Sequence, residues 1–289
     1  MSGFERPDSE SVEVGRIMDL GLLDPAALRV ERIDSASELI RIEPIREVTW
    51  GKAEGPLQPD VFVHLRNGGL ILAACLGEEV VGFSLAFPSV YRGELVLWSH
   101  ESAVLMKDRG VGTALKAAQR TLAADMGYNK IMWTYDPLVR RNAHLNLGKL
   151  GASVVEFVPD YYGPYRSDQQ SRDALTDRFV VSWLVDPAEV TVLEPPEVSK
   201  TATVLAVGEM DIPASYPVDA DVIRVALPED IVAMRSSRPE VAHLWSLAFR
   251  TAFAKFGSTG FRVWLDTDEA GRTEGYIVER IHHGEVVVR

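Results

Sequence analysis

A glycine-containing turn between a buried strand and an amphipathic helix is the feature that most constrains this chain. Apolar residues between 95 and 106 predict a buried strand. The run 107–113 reads Lys-Asp-Arg-Gly-Val-Gly-Thr, and after it apolar residues recur at helical spacing, which predicts a helix over 111–125. Gly110 and Gly112 therefore lie in the turn that connects the predicted strand to the predicted helix.

A turn of this kind suits an anionic ligand. The first N–H groups of a helix have no internal partner and lie at the positive end of its dipole. Glycine removes β-carbons that would hold a ligand away, and Lys107 and Arg109 add charged donors. A P-loop would continue Gly112 with lysine, and a dinucleotide fingerprint would have glycine in place of Leu115, so both are set aside. We predict a phosphate-binding turn; a tight turn that binds nothing is the alternative.

The next segments carry a resemblance to a known family. Residues 130–136 predict a strand, and residues 141–150 predict a helix that Gly151 ends. The order strand, glycine turn, helix, strand, and a helix ending in Lys-Leu-Gly-Ala resembles the GCN5-related N-acetyltransferase (GNAT) superfamily, whose turn holds the pyrophosphate of acyl-CoA. The resemblance covers roughly residues 28–185, and the sequence of this segment is similar to a branch of the superfamily whose members have a C-terminal extension.

This resemblance implies a fold and a function. The fold would be α/β (α+β), with a mixed, mostly antiparallel GNAT-like sheet flanked by helices and a C-terminal α+β extension. The function would be that of an acyltransferase of the EC 2.3.1 class, moving an acetyl or succinyl group from CoA to the amine of a small molecule such as an amino acid. A non-catalytic acyl-CoA-binding protein is the alternative. No metal is implied. The implied CoA-binding residues are Val104, Leu105, Met106, Lys107, Arg109, Gly110, Val111, Gly112, Thr113 and Asn142.

Two positions depart from the family pattern. Lys107 stands where the motif usually has arginine or glutamine, and Leu147 occupies a place where many members carry a tyrosine that acts as general acid. The second departure removes the usual proton donor. Tyr161 and Tyr162, in an aromatic loop that can wall a substrate pocket, are predicted to take its place, with solvent as the alternative.

Direct attack of an amine on a thioester needs a base, and three residues are candidates. His100 and Glu101 are neighbours on one predicted strand, so we expect them to face opposite sides and only one to point into the site. Asp136 precedes Pro137 and serves either as an acid or base or as a turn initiator. Asn142 either orients a CoA amide or caps the next helix.

The charge of the chain limits the classes of molecule that it can bind. The formal net charge is −12, which excludes a sequence-independent nucleic-acid binder. Residues 101–150 nevertheless carry eight Lys or Arg against four Asp or Glu, a local net charge of +4. A basic island around the glycine turn is what a CoA site requires; a solvated basic helix face is the alternative.

The remaining composition predicts the compartment. The single cysteine, Cys75, lies in an apolar run, is predicted to be a buried thiol, and suits a reducing environment. No apolar run is as long as a membrane span, and the chain does not start like a signal peptide, so we expect a cytoplasmic protein without a membrane partner. The adjacent His282 and His283 point to opposite faces of a strand and predict no metal site. Whether the protein forms a homodimer is left open.

The chain is predicted to have four parts: an acidic arm (1–27), a GNAT-like domain (28–185), a linker containing prolines (186–200) and a C-terminal α+β domain (201–289). The last part contains a predicted helix over 239–256 and no catalytic set of residues. An aromatic stripe on that helix is predicted to be core; it consists of Trp245, Phe249, Phe253 and Phe256.

Overall fold

A computed structural model describes residues 28–50, 59–106, 109–163, 175–190, 193–197, 200–254, 256 and 260–281. The chain forms two compact units, residues 1–132 and 133–289. The predicted arm at 1–27 and the histidines 282 and 283 lie outside the described residues. The division into a domain, a linker at 186–200 and a second domain stays a prediction.

The described residues of the first unit form five strands and four α-helices. A short 3₁₀ turn, Ile40–Ile42, connects the first two helices. The elements are β1 (Leu28–Arg32), α1 (Ala36–Leu39), α2 (Glu43–Trp50), α3 (Pro59–Arg66), β2 (Leu70–Leu76), β3 (Glu79–Tyr91), β4 (Glu94–Val104), α4 (Val111–Asp125) and β5 (Lys130–Tyr135), of which β5 runs on into the second unit.

Local sequence explains the helix boundaries. Ser35 and Glu38 form a capping box at the start of α1. The Ser35 hydroxyl accepts the backbone N–H of Glu38, and the Glu38 carboxylate accepts the backbone N–H of Ser35. Hydrogen bonding changes from α-helical to 3₁₀ just before Pro44, which has no backbone N–H to donate. The predicted helix over 111–125 is confirmed as α4.

The strands of the first unit follow the order β1-β2-β3-β4-β5. Short hairpin connections join β2 to β3 and β3 to β4, and both pairs are antiparallel. Strand β1 also pairs with β2 in the antiparallel sense. The connection from β4 to β5 instead passes through α4, so these two strands pair in parallel, at Leu97 with Ile131 and at Trp98 with Met132. The glycine turn thus starts the crossover connection from β4 to β5.

Helices cover both faces of this sheet. One face packs on the segment α1–α2, and its buried cluster consists of Ile33, Leu39, Ile42, Ile45, Ile71, Ala73, Cys75, Phe83, Leu85 and Ala103. The other face packs on α4. Cys75 is fully buried, as predicted, and lies between Arg41 and Glu31. Burial raises the pKa of its thiol to about 11.

The second unit begins with the end of β5, and β7 and then β6 follow it in the strand order. A second sheet has the order β11-β12-β10-β8-β9, and its neighbours are antiparallel except β8 and β10. The elements are α5 (Arg140–Ala143), which continues as one π-helical turn (His144–Lys149), β6 (Ser153–Val158), β7 (Arg178–Leu184), β8 (Ala202–Val207), β9 (Pro213–Ser215), β10 (Val222–Ala226), α6 (Ile231–Ser237), α7 (Pro239–Ala254), β11 (Gly260–Thr267) and β12 (Thr273–Ile281).

Aromatic side chains form the core of the second unit. Phe179 of β7 lies within 5.0 to 5.9 Å, ring centre to ring centre, of Phe249, Phe253 and Tyr276. The predicted stripe on α7 is confirmed as core, since none of its four aromatic residues is more than 2% exposed. Residues on either side of the predicted linker therefore share this core.

The predicted fold class is confirmed: the protein is α+β, its sheets are mostly antiparallel, helices flank them, and an additional sheet follows toward the C-terminus. The sequence analysis missed α6 and the three-residue strand β9. No helix within the described part of the chain is both long and apolar enough to span a membrane.

Candidate functional site

The predicted phosphate-binding turn has the geometry of an open helix start. Gly110 is the N-cap of α4 in the left-handed conformation (φ 78°), which glycine adopts without strain, and it brings no capping side chain. The N–H groups that open α4, including those of Gly112 and Thr113, have no acceptor within the helix. Arg109, just before the cap, is exposed. Lys107 and Asp108 lie outside the described residues.

A glycine in β3 brings the start of α4 close to the sheet. A β-carbon at Gly82 would lie 3.0 Å from Val111 and 3.1 Å from Val104. Among the described residues, a β-carbon added at Gly112 would meet just Val104, at 4.0 Å. Of the residues before the turn, Leu105 donates its N–H to Val81 at 2.9 Å and exposes 43% of its surface. The turn is therefore anchored on the strand side, and the described residues leave the start of α4 open.

Strand β4 contains a β-bulge at His100. In the ladder with β3, Leu85 pairs with Glu101 and Ala86 pairs with Ser99, so His100 has no counterpart. The expectation that His100 and Glu101 face opposite sides is wrong, because the additional residue breaks the alternation. His100 lies 5.5 Å from the ring of Phe87, which packs against the α1–α2 core cluster. Glu101 also turns to that face, where it binds α2.

The two neighbours have different surroundings. Glu101 forms two parallel hydrogen bonds with the guanidinium of Arg46 in α2, at 2.9 and 3.1 Å. Such a fork holds the Glu101 carboxylate in place. His100 is exposed, and its ring lies against Phe87, which stacks on His64 at 4.8 Å. Of these two predicted bases, His100 is the more exposed to solvent.

A buried polar cluster lies on the opposite face of the sheet, and the sequence analysis did not find it. Lys116 of α4 donates to Ser99 at 2.8 Å and to the Gln119 side-chain oxygen at 3.2 Å. Gln119 donates to Ser84 at 2.9 Å. Burial lowers the pKa of Lys116 to about 7. The sequence did contain a signal for this cluster, because Lys116, Gln119 and Ala123 recur at helical spacing and so share one face of α4.

The basic island is smaller than the residue count indicates. Lys116 is buried, and Lys130 forms an ion pair with Glu94. In the second unit, Arg140 donates to the Leu227 carbonyl at 2.5 Å, and burial lowers its pKa. Three of the eight basic residues therefore form contacts within the fold, and the local net charge of +4 counts them as well.

Asp136 lies in the second unit and initiates a turn. One carboxylate oxygen accepts the N–H of Leu138 at 3.0 Å, and the other forms an ion pair with Arg235 at 2.7 Å. It lines a small pocket together with Asp177, Arg235 and Phe249. The turn interpretation matches these contacts, and a catalytic role for Asp136 stays a prediction.

Asn142 does not cap its helix. The N-cap of α5 is Val139, which makes no side-chain hydrogen bond, and Asn142 is the third residue of the helix. A role in orienting CoA stays a prediction. In the following π turn, Leu147 is half-buried, while Asn146 is buried and accepts a hydrogen bond from Trp133 at 3.1 Å. The sequence analysis missed Asn146, because one polar residue in an apolar helix gives no pattern.

The two loop tyrosines stand together in a turn of the second unit. Their rings lie 5.1 Å apart, edge to face, and Arg178 lies over the ring of Tyr162 at 5.1 Å. Burial raises the pKa of Tyr161, so its hydroxyl keeps its proton at neutral pH. Residues 164–174, which follow the two tyrosines in the chain, lie outside the described residues. Among the described residues, no group of three or more His, Cys, Asp or Glu side chains is arranged to hold a metal ion.

Fold and turn together define an α+β protein whose crossover helix starts at an open, glycine-capped end. Solved structures that resemble it are GNAT acetyltransferases, the superfamily that the sequence motifs resemble. An aminoglycoside 6'-acetyltransferase type Ii is 19% identical with a TM-score of 0.43, over 55% of this chain and 97% of that chain. A GNAT family acetyltransferase from Elizabethkingia anophelis with acetyl-CoA bound is 13% identical with a TM-score of 0.40, over 55% and 98%.

The aminoglycoside 6'-N-acetyltransferase from Enterococcus faecium is 17% identical with a TM-score of 0.40, over 55% of this chain and 97% of that chain. No protein-family profile matches the chain, and no curated protein matches it. These structural likenesses lie below 25% identity and below a TM-score of 0.5, so function has to be argued from the residues of this chain.

Proposed function

We propose that this protein is an acyl-CoA-dependent N-acyltransferase that moves an acetyl or succinyl group to the amine of a small molecule. The observation that carries the proposal is the open start of α4. Bare amides and the positive end of a 15-residue helix suit the pyrophosphate of CoA, and the exposed Arg109 adds a charged donor. The left-handed Gly110 presents this end without a side chain in the way.

The acyl transfer needs a base for the amine. A lysine-like amine with a pKa of ~10.4 costs about 4–5 kcal/mol to deprotonate at pH 7. In the proposed reaction the amine nitrogen attacks the thioester carbon while its proton passes to the His100 imidazole. The carbon–sulfur bond then breaks, and CoA leaves as a thiolate. Glu101, held by Arg46, is proposed to stabilise positive charge near the amine and not to take the proton.

The thiolate needs a proton of its own. Leu147 has none to give, so Tyr161 or solvent supplies it in this proposal. A cysteine-like thiol has a pKa of ~8.5, which makes the thiolate a tolerable leaving group. The leucine also favours the second candidate function, an acyl-CoA-binding protein that does not catalyse transfer.

The test measures CoA binding and thiol release separately. At a CoA concentration ~100 times the dissociation constant, binding adds ~2.7 kcal/mol of stability, which raises the melting temperature. Gly112→Asp places a negative charge among the amides that start α4 and should abolish this rise. Thr121→Asp is the control: it adds the same charge on the exposed side of α4, roughly 14 Å further along the helix.

The outcomes separate the candidates. A folded Gly112→Asp protein that CoA still stabilises would refute the placement of the site. If CoA stabilises the wild type but no amine among amino acids, polyamines and peptide N-termini causes thiol release from acetyl-CoA or succinyl-CoA, the non-catalytic candidate takes the place of the enzyme.

A further inference from the structure

Four buried polar residues connect α4 to the sheet, and the proposed reaction does not use them. Gln119 and Ser84 are 0% exposed, Ser99 is 5% exposed and Lys116 is 6% exposed. Their hydrogen bonds form one chain, from Ser99 to Lys116 to Gln119 to Ser84. A polar chain inside an apolar layer costs desolvation, so its contribution is to fix the geometry of the groups that it joins.

The two serines stand on either side of the β4 bulge. Ser99 immediately precedes His100 in β4, and it pairs with Ala86. Ser84 of β3 pairs with Ser102, on the far side of the bulge. The chain of hydrogen bonds therefore spans the bulge from the α4 face, with one end before the additional residue and the other end after it.

The bond between Lys116 and Ser99 is compatible only with the bulged register. Side chains along a strand alternate between faces, and Glu101 points to the α1–α2 face, where it binds Arg46. In a regular strand Ser99, two residues earlier, would share the face of Glu101. The additional residue moves Ser99 to the α4 face, where it meets Lys116. In a regular strand, His100 would point toward α4 instead.

We propose that Lys116, supported by Gln119, is a positioning residue that holds the β4 bulge and thereby keeps His100 on the substrate side of the sheet. The effect of this role on turnover rests on the proposed acyl transfer, whereas the contacts of Lys116 that define the role do not. Lys116 acts through Ser99, and it touches neither the amine nor the thioester.

Packing alone does not explain a lysine at this position. A methionine has a similar length and would fill the space between helix and sheet without the cost of burying an amine. What only the lysine supplies is a donor that reaches Ser99 and Gln119 together. The Gln119 amide is oriented by the same chain, because its oxygen accepts from Lys116 and its nitrogen donates to Ser84.

The first test reads the position of His100 without any substrate. The ¹³C-labelled Cε1–H signal of His100 is assigned as the one missing from His100→Gln, and its shift reports the nearby Phe87 ring. Lys116→Met and Ser99→Ala should each move this signal toward that of an unstructured histidine. Thr121→Ala, on the exposed side of α4, is the control and should leave it in place.

The second test measures turnover and CoA binding. Because misplacement of a reacting group by about 1 Å costs up to 10²-fold, Lys116→Met and Ser99→Ala should lower turnover about 10-fold to 100-fold. The melting-temperature rise with CoA should stay unchanged. The double variant should be no slower than the slower single variant, because both changes break the same contact.

An unmoved His100 signal in folded Lys116→Met and Ser99→Ala proteins would overturn the positioning role. Ser99→Ala keeps the test decisive if Lys116→Met does not fold. Absence of thiol release by the wild type would instead count against the proposed acyl transfer, and the histidine signal would still decide the role of Lys116.

Discussion

The buried Lys116 makes a prediction about stability that needs no knowledge of the reaction. Its pKa is about 7 in the folded protein, against an ordinary value of 10.5 for lysine, because burial disfavours the ammonium form. Between these two values the unfolded chain binds a proton that the folded protein does not. The free energy of unfolding therefore rises as the pH rises from about 7 to about 10.5, and the contribution of Lys116 becomes level outside this window.

The size of the effect follows from the difference between the two pKa values. At about 1.36 kcal/mol for each pKa unit, the full contribution is on the order of 5 kcal/mol. Roughly 3 kcal/mol of it should develop between pH 7 and pH 10. Lys116→Met removes the titrating group, so the stability of wild type minus that of the variant should grow by this amount over the same range.

Urea unfolding at several pH values between 7 and 10, followed by tryptophan fluorescence, measures this difference. The Cys75 thiol also titrates in alkaline solution, with a pKa of about 11 in the folded protein, but it is present in both proteins and cancels. Lys149→Met is the matched control, since Lys149 is exposed, and its curve should run parallel to that of the wild type. A wild type minus Lys116→Met difference that does not change with pH would refute the assignment of Lys116 as a desolvated amine.

Two further predictions concern catalysis and the core. His100→Ala should lower turnover on a confirmed acceptor about 10²–10⁴-fold, the usual range for general acid–base assistance, and should leave CoA binding nearly intact. An unchanged rate would place the base elsewhere, and Asp136 would be tested next. Truncation after residue 185 should cause aggregation, because it removes the contacts of Phe249, Phe253 and Tyr276 with the fully buried Phe179. A truncated protein that stays monomeric in size-exclusion chromatography and stable in thermal melts would contradict the shared core.

Local patterns predicted the elements around the turn closely. The helix over 111–125 has the predicted bounds, because amphipathic spacing is a property of the chain itself. The strand predicted over 130–136 is β5, which ends one residue earlier, at Tyr135. The short α6 was missed, since seven residues carry too little periodicity to stand out.

The candidate site was only partly predictable. The glycines of the turn were found because their chemistry is local: a helix start without β-carbons is evident from the sequence. The arrangement of His100 and Glu101 was not, because a bulge depends on the register with β3, which no residue of β4 reveals. Arg46, the partner of Glu101, is 55 residues away in the chain.

The sequence by itself determined the strand, turn and helix order around Gly110, the glycine turn and the aromatic stripe of the helix α7. Each of these follows from contacts between residues close in the chain or from a repeating pattern. Tertiary structure decided the face to which His100 points and the burial of Lys116. It also decided that Lys130 and Arg140 form contacts within the fold. These depend on strand register and on desolvation by distant segments, because a side chain's protonation and direction are set by what packs around it.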